Sequence, residues 1–247
     1  MTSEWVRLAV GLAVLLVIAV LVSRRAGLGV ERGQVVAALR AVVQLAVVAL
    51  ALRGVFTQPV FVVLVIAVMF STATWTASRR LAGMEHAARA VVVGCLTGAG
   101  VTIAIVVGLP TLDRDVRTLV AVSGIVIGNS MTAATLAGRH LREGLRRRRE
   151  EVEAWLAIGA TPRRAVLDVA RAAAAEALVP GMDQTRTTGL VTLPGAFIGA
   201  LLGGASPVGA ARFQVVVLVG LLCAQALTAT IVTYVLGAPT LLPAPEG

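Results

Sequence analysis

From residue 6 to residue 236 the chain alternates apolar stretches of 17 to 24 residues with polar breaks, all but one of them short. Crossing a bilayer as a helix takes about 20 mostly apolar residues. A backbone in lipid must satisfy its own hydrogen bonds, so such stretches fold as helices. The spans expected on this basis are Val6–Val22, Gly33–Leu52, Val60–Ala77, Ala90–Leu109, Thr118–Gly138, Thr187–Gly203 and Phe213–Leu236. The predicted fold is therefore an all-α polytopic membrane protein of about seven transmembrane helices. It is expected to form a single domain over residues 1–247, with one charged block, 139–186, between the fifth and sixth spans. A secretory leader is the rival reading of the first span. Glu4 in its head, and Ser23-Arg24-Arg25 where a small-residue cleavage site would stand, favour a retained helix.

Arginine sets the expected orientation. All 22 basic residues are arginine. Sixteen fall in alternate loops: Arg24, Arg25 and Arg32, then Arg79, Arg80 and Arg89, then ten from Arg139 to Arg186. The opposite side carries five, Arg7, Arg53, Arg114, Arg117 and Arg212, and Arg40 lies inside a span. Basic loops stay cytoplasmic. The N-terminus is then expected outside, the C-terminus and the charged block in the cytoplasm, and the location a plasma membrane, as in a bacterial inner membrane. A net charge of +9 gathered beside apolar spans suits an anionic leaflet, so lipid is an expected partner and nucleic acid is not.

The absence of lysine excludes a Walker A loop, whose lysine reaches the terminal phosphates. Any use of ATP and Mg falls to a partner, and no cofactor is expected on this chain. Cys95 and Cys223, both inside apolar runs, read as packing residues rather than a disulfide framework.

Polar groups inside spans are costly in lipid and are candidates for a translocation pathway. The leading ones are Arg40 and Gln44, one helical turn apart, Asn129 with Ser130, and Gln225. The alternative for Asn129 and Gln225 is that they hydrogen-bond across helices as glue. Pro194-Gly195 interrupts the sixth span and is expected to kink it beside a pathway. Glycines four apart in Gly94-Gly98, Gly124-Gly128 and Gly195-Gly199-Gly203 permit close helix approach, at a subunit interface or within the chain. No Asp or Glu is expected within a span. Met69, Met131 and Cys223 are possible soft ligands, with His86 and His140 on the cytoplasmic side; no tight dedicated metal site is predicted.

The charged block reads as a helix from Leu141 to Ile158, laced by Glu143–Arg147, Arg146–Glu150, Arg147–Glu151 and Arg149–Glu153 at i,i+4. Val152, Trp155 and Leu156 share an apolar face. Gly159 can end this helix in the left-handed region. Thr161 is a good N-cap, and Pro162 a good first residue, for a second helix to about Leu178. A helix–turn–helix with an apolar face suits a partner's groove. It would serve equally as a solvated loop whose tryptophan packs back on the membrane domain.

Glu153-Ala154-Trp155 followed at Gly159 resembles the loop by which ABC-transporter permeases dock into their ATPase. More specifically, the chain resembles the bacterial iron-export ABC permease family of the FetB type, with plant relatives linked to aluminium tolerance. The resemblance rests on Arg40–Leu45, Gly128–Met131, Ala157–Pro162, Gly189–Gly195, Gly203–Pro207 and Ala211–Gln214, covering most of residues 40–220. The chain departs from that pattern at Thr132, Gly181–Arg186 and Ala196-Phe197. The resemblance implies a permease subunit, not an enzyme, with two copies forming a pathway and separate ATPase subunits driving it. ATPase coupling would fall to Glu153, Ala154, Trp155, Gly159, Ala160, Thr161, Pro162 and Arg163. The pathway would fall to Arg40, Gln44, Asn129, Ser130, Met131, Pro194 and Gly195. Iron or another metal is the implied cargo, and a non-metal cargo is the alternative. From other classes, a seven-helix receptor or scaffold explains the topology but not the Gly159–Pro162 turn. A gradient-driven carrier would lack the usual intramembrane carboxylates.

Overall fold

The computed structural model describes residues 2–55, 59–109, 112 and 115–238. Arg114 therefore lies outside the described residues. The helices are α1 (Thr2–Arg25), α2 (Glu31–Val55), α3 (Pro59–Arg80), α4 (Ala87–Gly108), α5 (Val116–Arg147), α6 (Arg149–Ala157), α7 (Pro162–Thr187), α8 (Gly195–Leu202) and α9 (Pro207–Leu236). Six of them are long and apolar enough to cross a membrane: α1, α2, α3, α4, α5 and α9. The protein is an all-α polytopic membrane protein.

Two compact units divide the chain, Met1–Phe61 and Val62–Gly247. The first is a hairpin of α1 and α2. Its turn uses Gly27 and Gly29 at φ 66° and 68°, a region open to glycine at no steric cost. The Gln34 side-chain amide donates to the Ser23 hydroxyl at 2.8 Å and ties the two helices near that turn.

In the second unit α9 packs against α4, α5, α7 and α8. Two layers of core run along it. One joins Leu81, Val91, Leu141, Leu145, Val166, Val169 and Val232, and the other joins Val106, Val122, Val126, Ile127, Val217 and Leu221. Glycine lets the backbones approach. A Cβ on Gly98 would stand 2.1 Å from the Thr228 hydroxyl and 2.5 Å from the Ala224 carbonyl oxygen. The Thr228 hydroxyl donates to the Gly94 carbonyl at 3.2 Å. The Gly94-Gly98 pair thus packs within the chain. Gly124 faces the Met69 methyl in the same way, whereas Gly128, Gly195 and Gly199 have open space where a Cβ would be.

Six expected spans are single helices. The sixth, Thr187–Gly203, is not. α7 ends at Thr187, and a turn over 188–194 precedes the eight-residue α8. Gly189 at φ 89° leaves the helical region, and its N–H donates to the Thr192 carbonyl at 2.8 Å. Pro194 has no N–H to donate and disfavours helix at the residue before it, so with Gly189 already out of the helical region the chain breaks here. Pro194 is the N-cap of α8 rather than a kink inside a span. The proline that does lie inside a helix is Pro180 in α7, a helix that runs to Thr187 rather than ending near Leu178.

The charged helix expected over Leu141–Ile158 is also divided. α5 ends at Arg147, and Arg148 (φ −107°, ψ 29°) starts a separate α6. Glu143–Arg147 and Arg149–Glu153 pair at 2.7 Å as expected. Glu151 bonds instead to Arg148 through two hydrogen bonds of 2.6 and 2.7 Å.

The α4–α9 contact generates a stability prediction. Gly98→Val must push apart two backbones, a class of overpacking that costs about 1–3 kcal/mol or more. Gly100→Ala, two residues away in open space, should be neutral or better because alanine is the stronger helix former. Thermal unfolding in detergent should show Gly98→Val falling well below the native protein and Gly100→Ala matching it.

Candidate functional site

The first candidate site is the elbow between α6 and α7. Gly159 sits at φ 88°. Its N–H donates to the Leu156 carbonyl and the Ala160 N–H donates to the Trp155 carbonyl, both at 3.0 Å, closing α6 with a Schellman pattern. Thr161 then caps α7 by accepting from the Arg164 N–H at 3.4 Å, with Pro162 next in the first turn. The turn chemistry expected over Gly159–Pro162 is present in full.

Behind the elbow Val152 is fully buried beside Leu145, Val166 and Val169, which anchors α6 to α5 and α7. In front, Glu153, Ala154, Trp155, Leu156, Ala157, Ile158 and Gly159 are all exposed. Ile158 is 76% exposed and Trp155 44%. Val152 therefore leaves the apolar face expected with Trp155 and Leu156, and Ile158 joins them at the tip. A cavity of about 140 Å³ lies at the base, lined by Arg148, Glu151, Trp155, Arg164 and Asp168 among others. The Arg148 hydrogen bonds hold the Glu151 carboxyl below the usual carboxylate range. A lowered folded value means that this pair is intact at neutral pH and is lost as pH falls through that value. Lying at the surface within reach of water, it adds little to stability.

Arg163, expected in the coupling set, turns to its own chain. Its guanidinium lies 3.9 Å over the Tyr234 ring, near the end of α9, and donates to the Tyr234 hydroxyl. Tyr234 was not singled out from the sequence, although it is the sole tyrosine and lies two residues before the last span ends.

The second candidate site is a polar cluster inside the helices. Asn129 donates to the Ile125 carbonyl at 2.9 Å and accepts from the Gln225 amide at 3.3 Å. That is the interhelical bond considered above for these two residues. A Cβ on Gly181 would stand 1.9 Å from Gln225 Oε1, so α7 reaches the same point. Gly181 had no place in the expected set, and its close approach is a tertiary fact. Ser130 is fully buried with its hydroxyl unpaired, and Met131 packs between both core layers. Arg40 and Gln44 are exposed on α2 of the other unit. Pro194 and Gly195 open α8.

A cavity of about 830 Å³ lies between the start of α5, α8 and the start of α9. Asp115, Arg117, Thr118 and Arg212 line it, as do Ile125, Ala196 and Gly199. Ile125, the lining residue farthest along α5, is one turn from Asn129. This is within the range of small-molecule sites, about 300–1,000 Å³. Among the described residues no three His, Cys, Asp or Glu side chains converge to hold a metal ion.

The model of the family described as "Uncharacterised protein family (UPF0014)" matches residues 5–240. Among curated proteins, the chain is 35% identical to "UPF0014 membrane protein STAR2" of Oryza sativa over 84% of this chain and 73% of that one. It is 31% identical to "Protein ALUMINUM SENSITIVE 3" of Arabidopsis thaliana, over 88% and 81%. To the "Probable iron export permease protein FetB" of Escherichia coli it is 28% identical, over 94% and 90%. No solved structure matches.

The Asn129–Gln225 bond can be measured by a double-mutant cycle with Asn129→Ala and Gln225→Ala. Interhelical bonds of this kind are worth about 0.6 kcal/mol on average and up to about 1.7. A coupling in that range, read from unfolding in detergent, is expected, and strict additivity would show that the two side chains do not interact.

Proposed function

We propose that this chain, which belongs to the UPF0014 family of membrane proteins, is the membrane-spanning subunit of an ABC transporter. Two copies form the pathway, and a separate ATPase carrying ATP and Mg binds the elbow between α6 and α7. The observation that carries the reading is the elbow itself. Its tip exposes Trp155, Leu156 and Ile158, the kind of apolar projection that fits a groove. Its backbone is held by the cap at Gly159 and the cap at Thr161, so it cannot absorb a push by bending locally. α6 and α7 transmit that push to α5 and α9, against which α7 packs. Arg163 on Tyr234 adds a direct link from the elbow to the end of α9.

ATP acts only through different affinity for two arrangements of the assembly. The caps make the elbow a lever that reports those arrangements to the helices around Asn129, Gln225 and the cavity beyond them. The orientation that fits places the elbow in the cytoplasm and the N-terminus outside, following the arginine distribution. The printed name of the Escherichia coli relative supports iron, or another metal ion, as cargo and export as direction. The described residues offer no three-ligand cluster, which suits an ion held weakly as it passes.

Trp155→Ala with Ile158→Ala alters only exposed side chains and should leave the fold intact. We expect it to lower capture of a co-expressed Walker A ATPase about tenfold or more, as loss of a central aromatic anchor does. Gly159→Val forces a β-branched residue to φ 88° and should uncouple ATP hydrolysis from efflux in reconstituted vesicles. Native capture and ATP-driven efflux in both variants would sink the coupling assignment. Efflux of iron compared with other divalent ions, with and without ATP, tests the cargo.

A further inference from the structure

Asp183, Gln184 and Arg186 are exposed on α7, and the packing of α7 fixes their depth. Ala170 stands beside Gly237 at one end of α9, and Gly181 stands against Gln225. α7 therefore runs antiparallel to α9. Gln225 is midway along the apolar stretch Phe213–Leu236, and Asp183 is about 3 Å beyond Gly181 at the helical rise. Asp183 to Thr187 thus pass the middle third of α9, a helix apolar enough to span the membrane. From the sequence these residues belonged to the charged block, and no carboxylate was expected within a span. The packing puts one there.

Ionised side chains at that depth face protein or water, not lipid. Asp183 and Arg186 pair at 3.4 Å, yet their side chains remain 58% and 73% exposed. We propose that this face of α7 is a contact between two copies of the chain. The proposal rests on the two-copy reading above and names its surface. A two-fold interface sets the same patch against itself. A patch with one carboxylate and one guanidinium a turn apart is self-complementary: Asp183 of each copy meets Arg186 of the other. The flanking surface agrees. Leu190 and Val191, just beyond the end of α7, are 92% and 78% exposed and supply apolar contact. The paired charges then form a polar seam at mid-membrane, beside the Asn129–Gln225 bond.

Co-expression of two differently tagged copies tests this. Asp183→Arg in both copies, or Arg186→Asp in both, sets like charges opposite each other and should cut recovery of one tag with the other about tenfold or more. One copy with Asp183→Arg and one with Arg186→Asp restores opposite charges across the contact but not within either chain, and recovery should return. Recovery that stays native in the single variants, or that fails to return in the mixed pair while both copies insert, overturns the proposal. A milder variant guards against misfolding. Gln184→Cys in a Cys223→Ala background should form a disulfide between copies in membranes, and Leu96→Cys on exposed α4 should not. Dimers and ATPase capture that persist without the Gln184→Cys cross-link would refute this surface and leave the transporter reading standing. Loss of ATPase capture with the cross-link intact would refute only the latter.

Discussion

The larger unit depends on how closely other helices come to α9. Gly94 and Gly98 bring α4 near enough for Thr228 to donate to a backbone carbonyl, and Gly181 brings α7 against Gln225. In lipid the hydrophobic effect offers no reason for one apolar helix to prefer another over an acyl chain. Contact area and hydrogen bonds decide, and both require small residues at the crossing points. Once α4 and α7 are docked, α5 closes against both and the two core layers are defined.

This arrangement gives the elbow its mechanical standing. α5 and α7 leave the membrane core as neighbours, and α6 bridges them through the buried Val152. The bridge has a core side and an exposed side. Force applied to the exposed tip is borne by side chains that also belong to the packed interior, and the short turn between Ala157 and Pro162 is closed by backbone hydrogen bonds.

The legible part of the sequence was the part governed by local rules. Long apolar runs located six helices, although α5 runs on to Arg147 and α9 starts at Pro207, beyond their apolar stretches, and Gly159, Thr161 and Pro162 announced the elbow because caps depend on neighbours in sequence. The sixth span was misread because α7 enters the apolar layer carrying Asp183, Gln184 and Arg186, which lower its hydropathy below that of a lipid-facing helix. Its depth is set by Gly181 against Gln225, a contact between residues 44 positions apart. Pro194 misled for a related reason: five residues after Gly189 it caps a new helix, while Pro180 is carried inside one. The contact of Arg163 with Tyr234 was not legible because nothing in a sequence aligns residues 71 positions apart. The break at Arg148 has no proline or glycine to mark it; its ion pair with Glu151 is visible only in three dimensions.

The elbow separates shape from address. Its bend is written in backbone hydrogen bonds and in one glycine's left-handed conformation, which ionic strength barely touches. The side chains at its tip make none of those backbone hydrogen bonds. Substitutions at Trp155, Leu156 or Ile158 can therefore accumulate without altering the bend. On the transporter reading proposed above, related chains in one cell could then keep a common fold while each admits only its own motor, through a few surface changes and no redesign of the membrane core.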